Sequence, residues 1–491
     1  MPELRRSLAY SAAGSYAGLV LQLTGTVVLS RILTPVEVGI FAVAAVFASM
    51  ASNFRDFGVA EYLIQEKALT TEKIRAAFGI NIAVSWLMGL LIFAAAGYVG
   101  RFYRTPGITE VMHVQAASFL LIPFGAINMA WFRREMNFKP LFVAGLAANT
   151  TSVSVAIGCA LLGMGYMSLA WSALAGVVVT VATSMYFRPK AFPRIPSLRG
   201  SAAVIQFGKF ASGIYVFGQL GKGAPEMIIG RAQDMAGVAV FSRANGLVQI
   251  FHQLVVKAVL PVCLPYFSKA VRDESSVVRG YVTGVSFFTV IGWPFLGFMA
   301  LAAFPSIRIV YGDQWTESVP LAKILCVAGA VELVHYLAKE ALLAHGLVKL
   351  SSRLQILLQA CHVLGLLAVI PFGLLGGCWG VLAASVAGVL ISQWQLWTGV
   401  QLRWAHLWQA CRGSFVVTAI TLTPMLVSLP LVSATESNYG RFMVLGGAVT
   451  ALMWLLALRT TRHALWSEMS AVASAVAARI RARRGPVAPP V

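Results

Sequence analysis

The chain has 491 residues, of which 58% are hydrophobic and only 11% are charged, whereas a soluble domain carries about a quarter charged residues. Apolar segments of about 20 residues recur along nearly the whole length, and each can cross a hydrocarbon layer of about 30 Å. This composition excludes a soluble globular protein. Because the apolar runs are continuous rather than alternating, they favour spanning helices over a β-barrel.

In chain order, the apolar segments predict an all-α integral membrane protein with about fourteen membrane-spanning helices. The predicted spans cover residues 8–30, 39–60, 77–100, 109–132, 140–162, 165–187, 203–224, 238–260, 281–303, 319–343, 351–372, 377–399, 413–432 and 440–458. No connection between them is long enough to hold a soluble catalytic domain. Any chemistry is therefore expected within the membrane.

The first predicted span has one face of small and polar side chains, which includes Gly14, Gly18 and Gly25. Small residues let two helices approach closely, and this is one interpretation of the face. The other interpretation is the wall of an aqueous lumen.

The formal net charge of +20 is distributed unevenly. The even-numbered connections and both tails carry basic clusters, such as Arg133-Arg134 and the stretch from Arg188 to Arg199, while the odd-numbered connections carry few basic residues. Basic residues of membrane proteins are retained on the cytoplasmic side. The pattern predicts that both termini are cytoplasmic, and it argues against nucleic acid as a partner.

A polar linker with three prolines follows the sixth predicted span and indicates a boundary between two lobes. We expect an N-terminal lobe (1–188), a cytoplasmic linker (189–200), a C-terminal lobe (201–400), two additional helices (401–460) and a basic amphipathic tail (461–491). Six-helix repeats are a common plan in transporters. The tail is expected to lie along the anionic cytoplasmic leaflet; a disordered tail is the alternative.

Ionisable side chains lie within or beside several predicted spans. Each costs about 2.5–3.5 kcal/mol at the bilayer centre, so it usually faces the bundle interior or a watery cavity. The set is mainly basic, and unpaired cations need water or an anionic ligand, which predicts a cationic lumen for a substrate bearing diphosphate or acidic sugar. The candidate substrate-binding residues are Lys209, Lys222, Arg243, Lys257, Arg55 and Lys339. The candidates for proton or sodium coupling are Asp56, Glu226, Glu332 and Glu340.

Two alternatives remain for these charges. Lys222 and Glu226 are spaced i, i+4 and could pair with each other, and side chains near span ends could reach the lipid headgroups. Helical spacing also gathers polar residues into stripes: Glu332, His335 and Lys339 share one side of the tenth span.

The sequence lacks the common nucleotide-binding, metal-binding and catalytic motifs. Residues 218–223 lack the spacing and the Ser/Thr of a phosphate-binding loop, and there is no His-Glu-x-x-His, paired-cysteine metal signature or nucleophile elbow. We therefore expect no enzymatic activity, no cofactor and no metal. The six cysteines are expected to be free thiols.

Several short segments, in this order and spacing, resemble the polysaccharide exporters of the MOP flippase superfamily. These exporters are the Wzx-like proteins, and the resemblance is to the branch that includes the succinoglycan exporter. The segments are Ser30–Gly39, Phe54–Gly58, Ile64-Gln65, Arg133–Lys139, Ile229–Arg231 and Tyr311–Trp315.

The resemblance implies a V-shaped bundle of two six-helix lobes plus two C-terminal helices, working by alternating access. It also implies an ion-coupled or substrate-driven flip of an undecaprenyl-diphosphate-linked oligosaccharide, the repeat unit of an exopolysaccharide or lipopolysaccharide, across the bacterial inner membrane. The implied partners are this glycan, membrane lipids, and a polysaccharide polymerase and glycosyltransferases, with the chain as a monomer. The residues that match the motifs are Arg31, Arg55, Asp56, Arg133, Arg134 and Arg231, of which Arg31, Arg133, Arg134 and Arg231 are expected to gate or to hold the lobes.

The sequence departs from the exporter pattern at one place. Such exporters often carry an acidic residue ahead of the Ile-Gly-Arg turn, whereas this chain has Lys222 and Glu226 there. The departure leaves the identity of the coupling ion open. Two other functions stay open. The first is a cation or drug antiporter of the same fold, which a basic interior disfavours. The second is a membrane polymerase, ligase or glycosyltransferase, for which the outward connections are short and poor in acidic and histidine residues.

Overall fold

The computed structural model describes residues 2–56, 58–189, 192–193, 195–202, 204–206, 221, 223–273, 277–432, 439–471 and 474. Every regular element in these ranges is helical, which confirms the predicted all-α class. The α-helices are α1 (Pro2–Ile32), α2 (Pro35–Asp56), α3 (Val59–Gln65), α4 (Thr71–Phe102), α5 (Pro106–Arg134), α6 (Phe138–Leu161), α7 (Tyr166–Tyr186), α8 (Met235–Phe251), α9 (Lys257–Arg272), α10 (Val277–Leu301), α11 (Ala303–Val310), α12 (Ser318–Glu332), α13 (Ala338–Ala344), α14 (Val348–Val369), α15 (Gly373–Val400), α16 (Trp404–Val432) and α17 (Tyr439–Thr460).

The start of α2 shows how the sequence sets a helix boundary. Glu37 Oε2 accepts hydrogen bonds from the backbone N–H and the hydroxyl of Thr34, both at 2.8 Å, and the Thr34 hydroxyl accepts one from the Glu37 N–H at 3.4 Å. This reciprocal arrangement is a capping box, and Pro35 at the first helical position has a φ already suited to a helix. The first motif segment, Ser30–Gly39, therefore contains a helix start.

Nine segments of the described ranges are long and apolar enough to cross a membrane. They are Pro35–Gln65, Thr71–Phe102, Pro106–Arg134, Phe138–Leu161, Tyr166–Tyr186, Val277–Leu301, Val348–Val400, Trp404–Ser428 and Tyr439–Thr460. The prediction of many apolar helices is confirmed. The count of about fourteen stays a prediction, because most of the predicted span 203–224 lies outside the described residues and Val348–Val400 covers two predicted spans.

The eighth predicted span, 238–260, contains a change of helix type. A π-helical turn, His252–Val256, separates α8 from α9, and the N–H of Lys257 bonds five residues back to the carbonyl of His252. Such turns are rare inside α-helices and are frequent at functional sites.

The tenth predicted span, 319–343, is interrupted. Helix α12 ends at Glu332, and α13 begins only at Ala338. The N–H of Val334 bonds to the carbonyl of Val331, so the Ala330 carbonyl loses its helical donor. The indole Nε1 of Trp293 on α10 donates to that carbonyl at 2.8 Å. A side chain from a neighbouring helix thus stabilises the interruption.

The described chain forms two compact units. Unit 1 consists of Met1–Arg243, Val310–Ser318 and Leu366–Gly377, and unit 2 consists of Ala244–Ile309, Val319–Gly365 and Cys378–Val491. The predicted lobes 1–188 and 201–400, with their linker, extra helices and tail, stay a prediction.

In unit 1 the glycine face of α1 packs against α6. A Cβ atom added at Gly14, Gly18 or Gly25 would lie 3.2, 2.9 or 3.0 Å from the side chains of Phe142, Asn149 and Val153, respectively. Close packing of two helices therefore accounts for these small residues.

In unit 2 the helices α16 and α17 pack against α10. The buried residues Val290, Val417 and Leu458 form the centre of this contact, and Leu465 and Met469 from the start of the tail pack onto it. The first turns of the tail thus pack on the helix bundle. Residues 475–491, which carry the rest of the predicted amphipathic face, lie outside the described residues.

Candidate functional site

The site residues predicted from the sequence fall into three groups. Lys209 and Lys222 lie outside the described residues, as does the side chain of Asp56. Unit 1 holds Arg31, Arg55, Arg133, Arg134, Glu226, Arg231 and Arg243. Unit 2 holds Lys257, Glu332, Lys339 and Glu340.

Arg243, in α8, lies between two aromatic rings of unit 1. Its guanidinium carbon is 5.1 Å from the centre of the Tyr311 ring and 4.9 Å from the centre of the Trp315 ring. Burial raises the pKa of the Tyr311 hydroxyl, and the nearby guanidinium offsets part of that shift, so the ring stays neutral. Cation–π contacts of this kind hold a guanidinium against the protein. The placement favours a packing role for Arg243 over contact with a substrate.

The same aromatic segment binds the end of α1. Trp315 Nε1 donates to the carbonyl of Ser30 at 2.7 Å, and Gln314 Nε2 donates to the carbonyls of Ser30 and, at 3.1 Å, Leu33. The last carbonyls of a helix have no partner within it, so these side chains satisfy them. The motif segments Ser30–Gly39 and Tyr311–Trp315 therefore meet in unit 1.

The other arginines of unit 1 contact rings or backbone, or are exposed. Arg134 Nη1 donates to the carbonyl of Leu63 at 2.6 Å and so caps the end of α3. The guanidinium carbons of Arg231 and Arg55 lie 5.2 Å and 5.9 Å from the ring centres of Phe102 and Phe119, respectively. Arg31 and Arg133 are exposed.

Two exposed lysines of unit 2 lie on helices that pack together. Lys257 begins α9, Lys339 lies in α13, and the two helices are in contact. Among the described residues, neither ammonium group has a hydrogen-bond or ion-pair partner. Lys257 directly follows the π-helical turn, and Lys339 is the second residue after the interruption between α12 and α13. Both groups are therefore available to an anion.

A polar cluster in unit 2 joins the same two irregular segments. Glu332 Oε1, at the end of α12, lies 3.1 Å from His362 Nε2 on α14 and 3.2 Å from the hydroxyl of Ser385 on α15. The hydroxyl of Tyr336, in the interruption, lies 3.5 Å from His252 Nδ1 in the π-helical turn. About a quarter of the Glu332 and His362 side chains is exposed (26% for each).

The remaining candidate carboxylates have no such partners. Glu340 is 8% exposed, and its Oε2 has no hydrogen-bond partner within the described chain. Glu226 Oε2 is also buried without a partner there. Of the four coupling candidates, only Glu332 has a described hydrogen bond with a second titratable side chain.

Glu332 is among the coupling candidates predicted from the sequence, but the sequence alone assigns no role to His362, Ser385 or Tyr336. A signal was present, because Glu332 and His335 share a helical stripe. The partners His362 and Ser385 come from other helices, and spacing within one helix cannot show such contacts. All six cysteines are free thiols, and no group of three or more His, Cys, Asp or Glu in the described residues could hold a metal ion.

An apolar groove between α6 and α7 is a different kind of surface. Its volume is about 580 Å³, and it is lined by Thr151, Val155, Cys159, Met164, Trp171, Leu174, Ala175, Val178 and Val179. It presents almost no polar group to a headgroup, so it is not the site.

The fold and these residues define a multi-pass helical membrane protein with a cationic, titratable region in one unit. A family model described as "Polysaccharide biosynthesis protein" matches residues 28–320, more than half of the chain. The chain belongs to this family, which confirms the resemblance to Wzx-like exporters seen in the motifs.

Curated relatives carry related names. The chain is 21% identical over 414 residues to the teichuronic acid biosynthesis protein TuaB of Bacillus subtilis, covering 82% of this chain and 83% of the relative. It is 24% identical over 334 residues to the succinoglycan biosynthesis transport protein ExoT of Rhizobium meliloti, covering 66% of each. The second relative supports the branch indicated by the motifs.

Solved structures share the fold. The lipid II flippase MurJ, in an inward closed conformation, matches with a TM-score of 0.71 at 11% identity, covering 92% of this chain and 98% of that one. At this identity the likeness concerns the fold alone. It confirms that the chain has the helical-bundle fold of that protein.

Proposed function

We propose that this protein is a flippase that carries a polyprenyl-diphosphate-linked oligosaccharide, the repeat unit of an exopolysaccharide or lipopolysaccharide, across the bacterial inner membrane by alternating access. Family membership supports the substrate class, since the relatives are named for teichuronic acid and succinoglycan biosynthesis. The fold shared with a lipid II flippase supports the mode of transport.

The observation that carries the proposal is the pair of unpartnered lysines, Lys257 and Lys339. An ammonium group at membrane depth is costly unless it faces water or binds an anion. Both lysines lie within predicted spans, are exposed, and lie on helices that pack together. A diphosphate supplies the anionic oxygens that such a pair would bind, and the same charge would otherwise have to cross hydrocarbon.

Two other functions fit these features less well. A cation or drug antiporter of the MOP superfamily shares the fold, but the unpaired lysines would repel a cationic substrate. A membrane polymerase or ligase would need catalytic carboxylates or histidines in an outward connection, and the described titratable cluster lies in the helices. The relative named as a transport protein also favours a transporter over an enzyme.

Reconstitution into liposomes tests the proposal. The probe is a short-chain polyprenyl diphosphate that carries a fluorescent oligosaccharide, and a quencher added outside reports which leaflet holds it. Wild type is expected to equilibrate the probe between leaflets faster than protein-free liposomes. The double variant Lys257→Ala/Lys339→Ala is expected to lose at least about tenfold in initial rate, since each charged contact to a phosphate is worth about 1.5–3 kcal/mol.

The matched control is Lys349→Ala, which removes an exposed lysine at the start of α14 in the same unit. It is expected to keep the wild-type rate. Lys257→Arg/Lys339→Arg, which retains both charges, is expected to restore part of the activity. If the double alanine variant flips the probe at the wild-type rate, these lysines do not bind the headgroup, and if wild type does not flip it, the proposed function is wrong.

The finer assignments belong to the same proposal. Both termini are expected in the cytoplasm, which reporter fusions to either end would check. Arg31 and Arg133, exposed motif arginines of unit 1, are expected to gate. A polysaccharide polymerase and glycosyltransferases are expected as partners of a monomeric chain.

A further inference from the structure

Two helix irregularities of unit 2 meet at the cluster of titratable side chains. The π-helical turn provides His252, and the interruption after α12 provides Tyr336, whose hydroxyl lies 3.5 Å from that histidine. Interrupted helices in transporters commonly hold coupling ions, because their free backbone groups and side chains line a cavity. The two irregularities therefore point to an ion site in this part of unit 2.

The hydrogen bonds of His362 determine how many protons the cluster holds. Its Nδ1 lies 2.9 Å from the carbonyl oxygen of Leu358. A carbonyl oxygen only accepts hydrogen bonds, so Nδ1 must carry a hydrogen. The other ring nitrogen, Nε2, lies 3.1 Å from Glu332 Oε1.

The contact between Nε2 and Oε1 requires one more proton. Either the imidazole is doubly protonated and donates to a carboxylate, or a protonated Glu332 donates to the neutral ring. Both states share a single proton between the two atoms, and the pair is then neutral. Without that proton, a lone pair on Nε2 faces a lone pair on the carboxylate, or the ring changes tautomer and loses its bond to Leu358.

We propose that Glu332 and His362 form a proton-binding site whose occupancy couples the membrane proton gradient to transport. The protonated pair keeps both the contact between α12 and α14 and the bond of His362 to Leu358, and release of the proton to water leaves a charge of −1 on the pair and breaks one of these two hydrogen bonds. The inference rests on the proposed function, because it names the ion that drives that transport. A proton is favoured over a metal ion, since the group 3.1 Å from the carboxylate oxygen is an imidazole nitrogen, and these two atoms can share a proton.

The exposure of the Glu332–His362 pair and its place in the chain suit a proton-binding site. About a quarter of each partner is exposed (26%), so the pair is not sealed within the protein. An ionisable pair in a membrane span is expected to face water over that exposed part. Glu332 is the last residue of α12, directly before the interruption that leads to Lys339. Opening the contact would therefore free the segment that positions a substrate-binding lysine.

Other titratable groups surround the pair and are expected to tune it. His335 and His252 lie within electrostatic reach of Glu332, and His335 Nε2 is buried without a hydrogen-bond partner in the described chain. The groups with a described electrostatic interaction with the pair are His252, His335 and Tyr336. The surrounding elements also carry Lys257, Cys263, Tyr281, Lys323, Cys326, Lys339, Glu340, Lys349, Arg353, Cys361 and Cys378.

Flipping in liposomes with an imposed pH difference tests the inference, with the membrane potential clamped by potassium and valinomycin. The probe is the fluorescent polyprenyl diphosphate oligosaccharide. A gradient of one pH unit is a tenfold difference in proton activity, so the wild-type initial rate is expected to change several-fold, by up to about tenfold. A pH-sensitive dye inside the liposomes is expected to report proton movement that depends on the probe.

The variant Glu332→Gln keeps the hydrogen bond to His362 but removes the carboxylate that binds the proton. The amide can donate a hydrogen bond to neutral His362 Nε2, so the closed contact persists but cannot release a proton. This variant is expected to bind the probe like wild type and to lose the response to the gradient. Asp273→Asn, which neutralises an exposed carboxylate after α9 in the same unit, is expected to respond like wild type.

The outcomes separate the two proposals. If wild type flips the probe equally fast with and without the gradient, or if Glu332→Gln keeps the full response, the proton site is refuted and the flippase stands. If Glu340→Gln removes the response and Glu332→Gln does not, coupling lies on α13 instead and the inference is overturned. If Glu332→Gln fails to bind the probe, His362→Gln removes the same imidazole proton, and a full response in that variant refutes the site.

Discussion

Two buried or bound arginines of unit 1 and two exposed lysines of unit 2 have opposite surroundings. In unit 1, Arg243 is stacked against Tyr311 and Trp315, and Arg134 is bound to the backbone of α3. In unit 2, Lys257 and Lys339 are exposed, and neither has a hydrogen-bond or ion-pair partner among the described residues. A basic residue in an apolar sequence can therefore have one of two roles: it can pack within the protein, or it can bind an anion. Only the contacts distinguish them.

The largest expected effect is on the aromatic contact of unit 1. Trp315 is fully buried, and its indole satisfies the Ser30 carbonyl. Trp315→Ala is expected to destabilise the protein by about 3–5 kcal/mol through lost burial and the cavity it leaves. Unfolding in mixed detergent micelles measures this.

Trp315→Phe keeps an aromatic ring near Arg243 but removes the N–H donor. It is expected to lose about 0.5–1.5 kcal/mol, the net contribution of one hydrogen bond, because Gln314 Nε2 still donates to the Ser30 carbonyl. Equal stability of wild type and Trp315→Ala would mean that this contact does not hold unit 1 together.

The next effect concerns the close approach of α2 to the start of α8. A Cβ atom added at Gly39 would lie 1.7 Å from the backbone carbonyl oxygen of Met235, which cannot move like a side-chain end. Gly39→Ala is expected to destabilise unit 1 by about 1–3 kcal/mol or more, as overpacking does. Gly145→Ala, on α6 with open space around it, is the matched control and is expected to be neutral or slightly stabilising.

The different roles of Arg243 and of the lysines Lys257 and Lys339 can be tested by their effects on stability. Arg243→Ala is expected to reduce stability by about 0.5–2 kcal/mol, the range of cation–π contacts, because the guanidinium stabilises packing. Lys257→Ala/Lys339→Ala is expected to change stability by no more than about 0.5 kcal/mol, as for surface substitutions. Unfolding of the three proteins side by side measures both. A large loss in the lysine variant, with none in Arg243→Ala, would reverse the roles assigned to the two units.

The sequence predicts the all-α class, the apolar spans and the motif positions, because these depend on local composition and order. It does not predict that Tyr311–Trp315 binds the end of α1, since that contact joins residues about 280 positions apart. For the same reason, the sequence cannot show that Arg243, a predicted substrate-binding residue, lies between the rings of Tyr311 and Trp315.

The candidate site was predicted only in part. Glu332 and Lys339 were expected from their charge, and their helical stripe was visible. The interruption between them was not predicted, because the segment lacks the proline or glycine that usually marks a helix end. It depends on Trp293 from another helix, which donates to the Ala330 carbonyl. His362 and Ser385 likewise come from other helices, and a pattern within one helix cannot reveal them.

The smallest expected effect is a pH dependence in a packed part of unit 2, after α17. His463 Nδ1 accepts a hydrogen bond from the Leu465 N–H at 3.2 Å, so Nε2 carries the hydrogen and donates to the Ser286 hydroxyl at 2.9 Å. Burial lowers the pKa of His463 below its ordinary 6.5. The neutral ring is therefore the form that fits the fold.

The sign of the effect follows from this pKa. Below about pH 6.5, His463 binds a proton in the unfolded chain but not in the folded one. The free energy of unfolding therefore falls as the pH decreases, and it levels off below the pKa of the folded state. Wild type is expected to melt at a lower temperature at about pH 5.5 than at about pH 7.5. His463→Gln, which cannot become charged, is expected to show a smaller difference. An equal difference in both proteins would mean that the folded and the unfolded chain protonate His463 alike, so that burial does not keep this ring neutral.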